Sequence, residues 1–339
     1  DMTIRLRTAF FIILAILSLW FLYLIRAILP PFILAAIFAY IFNPTINFFS
    51  SKLKLPRTIA ISIVFVFIVG IIAGMGTIFT KRIIEESLEI NSYVSYLLQT
   101  ARTQINGLPF WARPTIYDLL YSLKKTPLAG SMSFAPFFPQ AISQLINFLI
   151  FVFSAFYFLK DGGRFIEKLL TFVPYDLKSD IRLLVKRINS TLGAYLRGQV
   201  FLVFLMSIWT FIALSIIGVR FSLIVAVFSG FAEIVPVIGP IVAAAVAVLV
   251  VLVGGSLNFG LTTINGVLLV VLIYFVLRHL EDYFIIPHVM GKITKLPPFV
   301  IFFAAIAGGH LMGLWGLVLA VPVAAVIRLL LEFSMDRIN

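Results

Sequence analysis

Between residues 221 and 253 almost every side chain is apolar, yet "EIVPVIGP" at 233–240 sets Glu233 beside Pro236, Gly239 and Pro240. An ionised group on a lipid-facing helix costs on the order of 3 kcal/mol or more, so such a carboxylate has to face a cavity or a partner. That makes Glu233 a candidate carrier of a proton or cation. The prolines and the glycine also free backbone groups, which a polar pathway can satisfy. A second apolar run, 297–331, is interrupted by "GGHLMGLWG", which holds Gly309, His310 and Gly313. A shift of 77 residues aligns Glu233 with His310, Pro236 with Gly313, Gly239 with Gly316 and Ala243 with Ala320. Identity between the two runs is close to chance. The shared order carries the pairing: an ionisable residue, a helix breaker three on, and a glycine three further. Glu233, Pro236, Gly239, Pro240, Gly309, His310 and Gly313 are therefore the candidate substrate or ion pathway.

A third polar group, Arg278, Glu281 and Asp282 with His279 and His288, closes an apolar segment. Its acids and arginine suit a gating or structural ion pair. The spacing matches no helical metal motif of the HExxH kind, so no metal is expected. "DGGRF" at 161–165 lacks the Lys-Ser/Thr of a phosphate loop and reads as a turn. No nucleophile–base set and no paired enzymatic carboxylates stand out, which argues against an enzyme and against a cofactor.

The elements that carry these residues must live in lipid. Of 339 residues, 62% are hydrophobic and 12% charged, with 35 Phe, and the mean hydropathy is +1.12. Soluble domains are about 45–50% apolar and roughly 25% charged. A net charge of +12 would suggest nucleic acid in a soluble protein, but here the basic residues flank apolar segments and fit positive cytoplasmic loops instead. The absence of cysteine removes disulfides and thiol chemistry. The N-terminal "RLRTAFFIILAILSLWFLYLIRA" reads as a first anchor rather than a cleaved leader.

A crossing helix needs ~20 apolar residues. Segments 8–26, 31–49, 57–79, 140–159, 198–217 and 258–277 qualify, whereas 221–253 and 297–331 are too long for one crossing and broken in the middle. The expected fold is all-α and polytopic: about six full spans plus two broken helical hairpins, arranged as a possible inverted repeat. Residues 1–79 form the N-terminal spans and 80–139 an extramembrane region, amphipathic over 83–105 and then Pro-rich. Residues 140–197 add a span and cytoplasmic interfacial helices, with 176–197 amphipathic. Residues 198–339 form a transport core with both hairpins. Eight Lys/Arg in 160–197, against six in the longer 80–139, put the former inside and both termini in the cytoplasm. The hairpins then enter from opposite sides, with tips that point at each other near the midplane.

Several motifs together resemble one family. "ILPPFILAAIFAYIFNP" (28–44), "FLKDGGRF" (158–165), "LGAYLRGQ" (192–199), "EIVPVIGP" (233–240), "LEDYFIIPHVMG" (280–291) and "AGGHLMGLWGLVLAVP" (307–322) are similar, in order and spacing, to the autoinducer-2 exporter (AI-2E) family of bacterial permeases. The resemblance implies a multi-pass inner-membrane secondary transporter that exports a small polar solute such as a quorum-sensing signal. It also implies a homo-oligomer, a pentamer, and for some relatives sodium (or lithium)/proton antiport. The competing readings are such an antiporter and a non-transporting, channel-like scaffold. His310 departs from the apolar or small residue the family pattern implies after "GG". The expected partners are the lipid bilayer, a small polar solute or cation and further copies of the chain, with no nucleic acid.

Overall fold

The computed structural model describes residues 28–74, 137–236, 238–254, 257–289 and 296–336, with a few positions in 17–26 and 76–77. The expected span 8–26 falls largely outside these residues, as do the amphipathic helix at 83–105 and the Pro-rich stretch. Contacts divide the chain into two units, Asp1–Ile61 with Asn147–Asn339, and Ser62–Ile146. Of the second unit the structure describes two stretches of helix, within 62–77 and 137–146.

All regular structure among the described residues is helical. Helix α1 is Pro30–Lys52, with prolines at its first positions, where a missing N–H costs nothing. Helix α2 is Arg57–Gly74, α3 is Phe137–Leu170, which runs as helix through 161–165 where a turn was expected, and α4 is Tyr175–Ile217. The first hairpin comprises α5, Ser222–Ala232, and α6, Ile238–Gly254. Helix α7 is Thr263–Leu280, N-capped by the Thr262 hydroxyl, and it continues through a π-helical turn, Glu281–Ile285, into Ile286–Val289. The second hairpin is α8, Pro298–Met312, with α9, Leu314–Met335.

Six described helices are long and apolar enough to cross a membrane: α1, α2, α3, α4, α7 with its extension, and α9. Helix α9 was expected as a half-length arm, but at 22 residues it is long enough to cross unaided. Past its apolar part it is carried on by Arg328 and Glu332, an i,i+4 ion pair at 2.6 Å. Helix α4 also differs from expectation. Instead of an interfacial helix followed by a span, its 43 residues run unbroken through residue 197, a length of about 65 Å. No proline interrupts it, and Gly193 and Gly198 are buried rather than used as breaks. It ends at Gly218, whose left-handed φ of 79° allows the Val219 N–H to return to the Leu214 carbonyl.

Packing follows the helical period. On α4, Leu202, Met206, Thr210 and Leu214 are buried, while Phe204, Ile208, Ile212 and Ile216 are exposed. That exposed stripe would be costly in water and is at home against acyl chains. One core joins Leu214 and Ile217 of α4 to Val225 of α5, Ala243 and Ala247 of α6, and Val270 of α7. A second joins Tyr195 and Leu196 of α4 to Val321 of α9, with Ile37 and Tyr40 of α1 against it. Both hairpins thus pack on α4, and among the described elements neither packs substantially on the other.

Candidate functional site: a shared guanidinium at a hairpin tip

The break between α5 and α6 follows from Pro236. It has no N–H to continue the ladder, so the chain turns through Val235 N–H to Ala232 O and Ile238 N–H to Pro236 O. Pro240 falls in the first turn of α6, where the N–H it lacks would have no helical partner. Gly239 is required by proximity, because a Cβ there would overlap the Ala232 carbonyl. In the second hairpin a Cβ on Gly316 would overlap the Gly308 carbonyl. The 77-residue shift therefore pairs two glycines with the same task, letting the returning arm touch the backbone of the outgoing one. Ala243 and Ala320, also paired by the shift, are both buried. The turns themselves differ: the second is a single residue, Gly313, at φ 58° and ψ −134°.

Helices α5 and α7 run in the same direction and meet in two polar rungs one turn apart. Ser229 shares a 2.6 Å hydrogen bond with the Tyr274 hydroxyl. Four residues on in each helix, Arg278 Nη1 donates to Glu233 Oε1 at 2.9 Å. The same Nη1 donates to Glu281 Oε2 at 3.2 Å. Arg278 Nε and Nη2 reach the Asp282 carboxylate at 3.0 and 2.9 Å. From α4, Gln199 Nε2 donates to the Glu233 backbone carbonyl at 2.8 Å. The π-turn begins at Glu281 and turns its side chain inward, while Asp282 stays on the outer side.

One guanidinium therefore serves three carboxylates. Asp282 is 44% exposed, but Glu233 and Glu281 are 5% and 0% exposed. Glu281 Oε1 is buried with no hydrogen-bond donor among the described residues. Two buried carboxylates against one cation leave a charge that a low-dielectric site does not tolerate alone. That surplus calls for a further counter-charge.

The tip of the first hairpin sits level with Arg278, about 22 Å of helical rise from the start of α7, so the hairpin reaches as far across as α7 does at that point. The structure brings Glu233, Arg278, Glu281 and Asp282 together, with Pro236, Gly239 and Pro240 forming the adjoining turn. It does not join them to Gly309, His310 and Gly313. His310 is exposed in the last turn of α8. His279 stacks on Phe275 with centroids 4.0 Å apart and bonds its carbonyl, and His288 bonds the Phe284 carbonyl. Among the described residues no set of three or more His, Asp and Glu is arranged to hold a metal. Sequence reading missed Gln199 and the Glu233–Arg278 pair. The signal was the matched spacing of four from Ser229 to Glu233 and from Tyr274 to Arg278.

The sequence profile of the AI-2E family transporters matches residues 10–335. The chain belongs to the AI-2E transporter family. Among AI-2E relatives, YueF of Bacillus subtilis, described as a candidate transport protein, is 25% identical over 321 residues, covering 91% of this chain and 84% of its own. YrrI of the same organism, described likewise, is 26% identical over 318 residues, covering 91% and 86%. A protein of Halobacillus andaensis named a sodium-lithium/proton antiporter is 24% identical over 317 residues, covering 88% and 87%. Membership in the AI-2E family, together with the long apolar helices, makes this a multi-pass membrane transporter.

Proposed function

We propose that the protein is a secondary transporter that moves a small polar solute outward, coupled to a proton or small cation carried by the Glu233–Arg278–Glu281 cluster. The observation that carries this reading is the donorless, fully buried Glu281 oxygen beside a guanidinium already shared with Glu233. A group held in that way changes partner when a proton or cation arrives, and the hairpin tip is attached to it through Glu233. The distribution of Lys and Arg supports a cytoplasmic position for 160–197 and for the C-terminus.

Sodium (or lithium)/proton antiport is the second reading. It is favoured by the same buried carboxylate pair and by the name of the Halobacillus relative, a sodium-lithium/proton antiporter. Proteoliposomes with imposed proton and sodium gradients separate the two. Solute flux that follows the proton gradient supports export, whereas sodium-dependent proton flux without solute supports antiport. Glu281→Gln should abolish the coupling in either case. Coupled flux in that variant equal to the parent's would overturn the role given to the cluster.

A further inference from the structure

A second polar feature lies away from the hairpin tip, where α1, α3, α4 and the first residue of α2 enclose an open cavity of about 750 Å³. Its lining includes three cations, Arg57, Lys186 and Arg197, and no carboxylate. None of the three has an acidic partner among the described residues. Arg57 is held entirely by neutral acceptors: Nε donates to the Leu159 carbonyl at 2.8 Å, Nη1 to Asn47 Oδ1 at 2.9 Å and Nη2 to Asn43 Oδ1 at 2.8 Å. A guanidinium can only donate, so it fixes which way both amides face and leaves their Nδ2 groups as further donors. The Tyr40 hydroxyl donates to Asn189 Oδ1 at 2.6 Å, which leaves Asn189 in the same state. Arg197 Nη1 bonds the Tyr40 carbonyl at 3.2 Å. It lies where a Cβ on Gly193 would crowd it, at 2.9 Å.

The amide acceptors of this cavity are thus taken up by its own framework, and what remains is mainly positive charge and donors. Asp161, in an adjoining pocket that Arg57 also lines, is paired with Arg164. The α3 side of the lining adds Phe158 and Phe165, 42% and 63% exposed, and Gly162 and Gly163, beside which there is open space. Charge and donors together with aromatic surface match an amphipathic anion.

We propose that this cavity binds the phosphate of an anionic phospholipid headgroup, with Arg57 as the fixed contact, Lys186 and Arg197 closing on it, and an acyl chain along Phe158 and Phe165. The shared chemistry is a phosphate, which a soluble phosphate ester could also supply, so the test carries both.

The full-length protein in detergent is titrated with phosphatidylglycerol, phosphatidylcholine, glycerol phosphate and inorganic phosphate, with thermal stability and native mass spectrometry as readouts. Phosphatidylglycerol should be retained and stabilise, and phosphatidylcholine should not. Lys186 and Arg197 are exposed, so K186Q/R197Q should fold. It should weaken that retention roughly fivefold per charge, about 25-fold for both. Gly163→Leu, which fills the open wall, should weaken it without a change of charge. Equal responses to the two lipids, or retention unchanged in K186Q/R197Q, would overturn the proposal. A full response to glycerol phosphate or inorganic phosphate alone would overturn the lipid assignment in favour of a soluble anion. Coupled flux at the hairpin tip plays no part in these readouts, so either proposal can fail without the other.

Discussion

Replacing Arg278 with Met keeps much of the side chain's length and removes its charge. Glu233, 5% exposed, and Glu281, fully buried, would then face each other without a cation. Breaking a buried pair by deleting one partner costs about 3–5 kcal/mol. Arg278 is itself 29% exposed and Asp282 draws on solvent, so the lower end, about 3 kcal/mol, is the expected loss. The converse change, Glu281→Gln, removes the surplus charge and turns the donorless oxygen into an amide that can donate to Glu233. It should be neutral or stabilising by about 0.5–1.5 kcal/mol. The two changes are coupled because they alter one charge balance. R278M should therefore cost at least about 1 kcal/mol less when E281Q is already present. Reversible unfolding in mixed micelles, measured for the parent, both single variants and the double variant, gives that coupling directly. A coupling of zero, or R278M indistinguishable from the parent, would refute the claim that two buried carboxylates share one guanidinium.

Gly239→Ala drives a methyl group into the Ala232 carbonyl and should cost about 1–3 kcal/mol. Gly316→Ala should do the same against Gly308, and thermal unfolding of both variants should show similar losses. Tyr274→Phe removes the rung to Ser229, and unfolding in micelles should show a loss of about 1 kcal/mol. Val235→Cys and Met312→Cys introduce the only thiols of the chain. If the first tip follows the charge state of Glu281, impermeant maleimide should label Val235→Cys to an extent that changes with proton gradient. Labelling at Met312→Cys, beside the exposed His310, should not change.

Hydropathy identifies the helical membrane fold and most of the spans because apolar length is a local property of the chain. The two breaks are legible for the same reason: Pro236, Gly239 and Gly313 act on their own backbone. The lengths of α4 and α9 are less legible, since a hydropathy window ends where charge begins, whereas a helix ends only where a cap or a breaker stops it. Glu233 was recognisable as unusual, but its partner was not. Arg278 lies 45 residues away, and counting crossings assigned it to the end of a span while Glu233 was assigned to the tip of a separate hairpin. Only the parallel course of α5 and α7 puts them at one level. The counterpart chosen by sequence, His310, matches Glu233 in order along the chain and not in surroundings. The pairing of Gly239 with Gly316 rests on the same shift and has a physical cause, because close approach of hairpin arms makes the same demand in both places.

The unbroken course of α4 has a mechanical consequence. Arg197 lines the basic cavity and Gln199, two residues on, holds the carbonyl of Glu233. At 100° per residue these side chains leave the helix on nearly opposite sides. A turn of α4 about its own axis that draws Gln199 away from the hairpin tip also swings Arg197 within the cavity, in the opposite sense. One uninterrupted helix thus offers a single axis of rotation to two polar features that share no side chain.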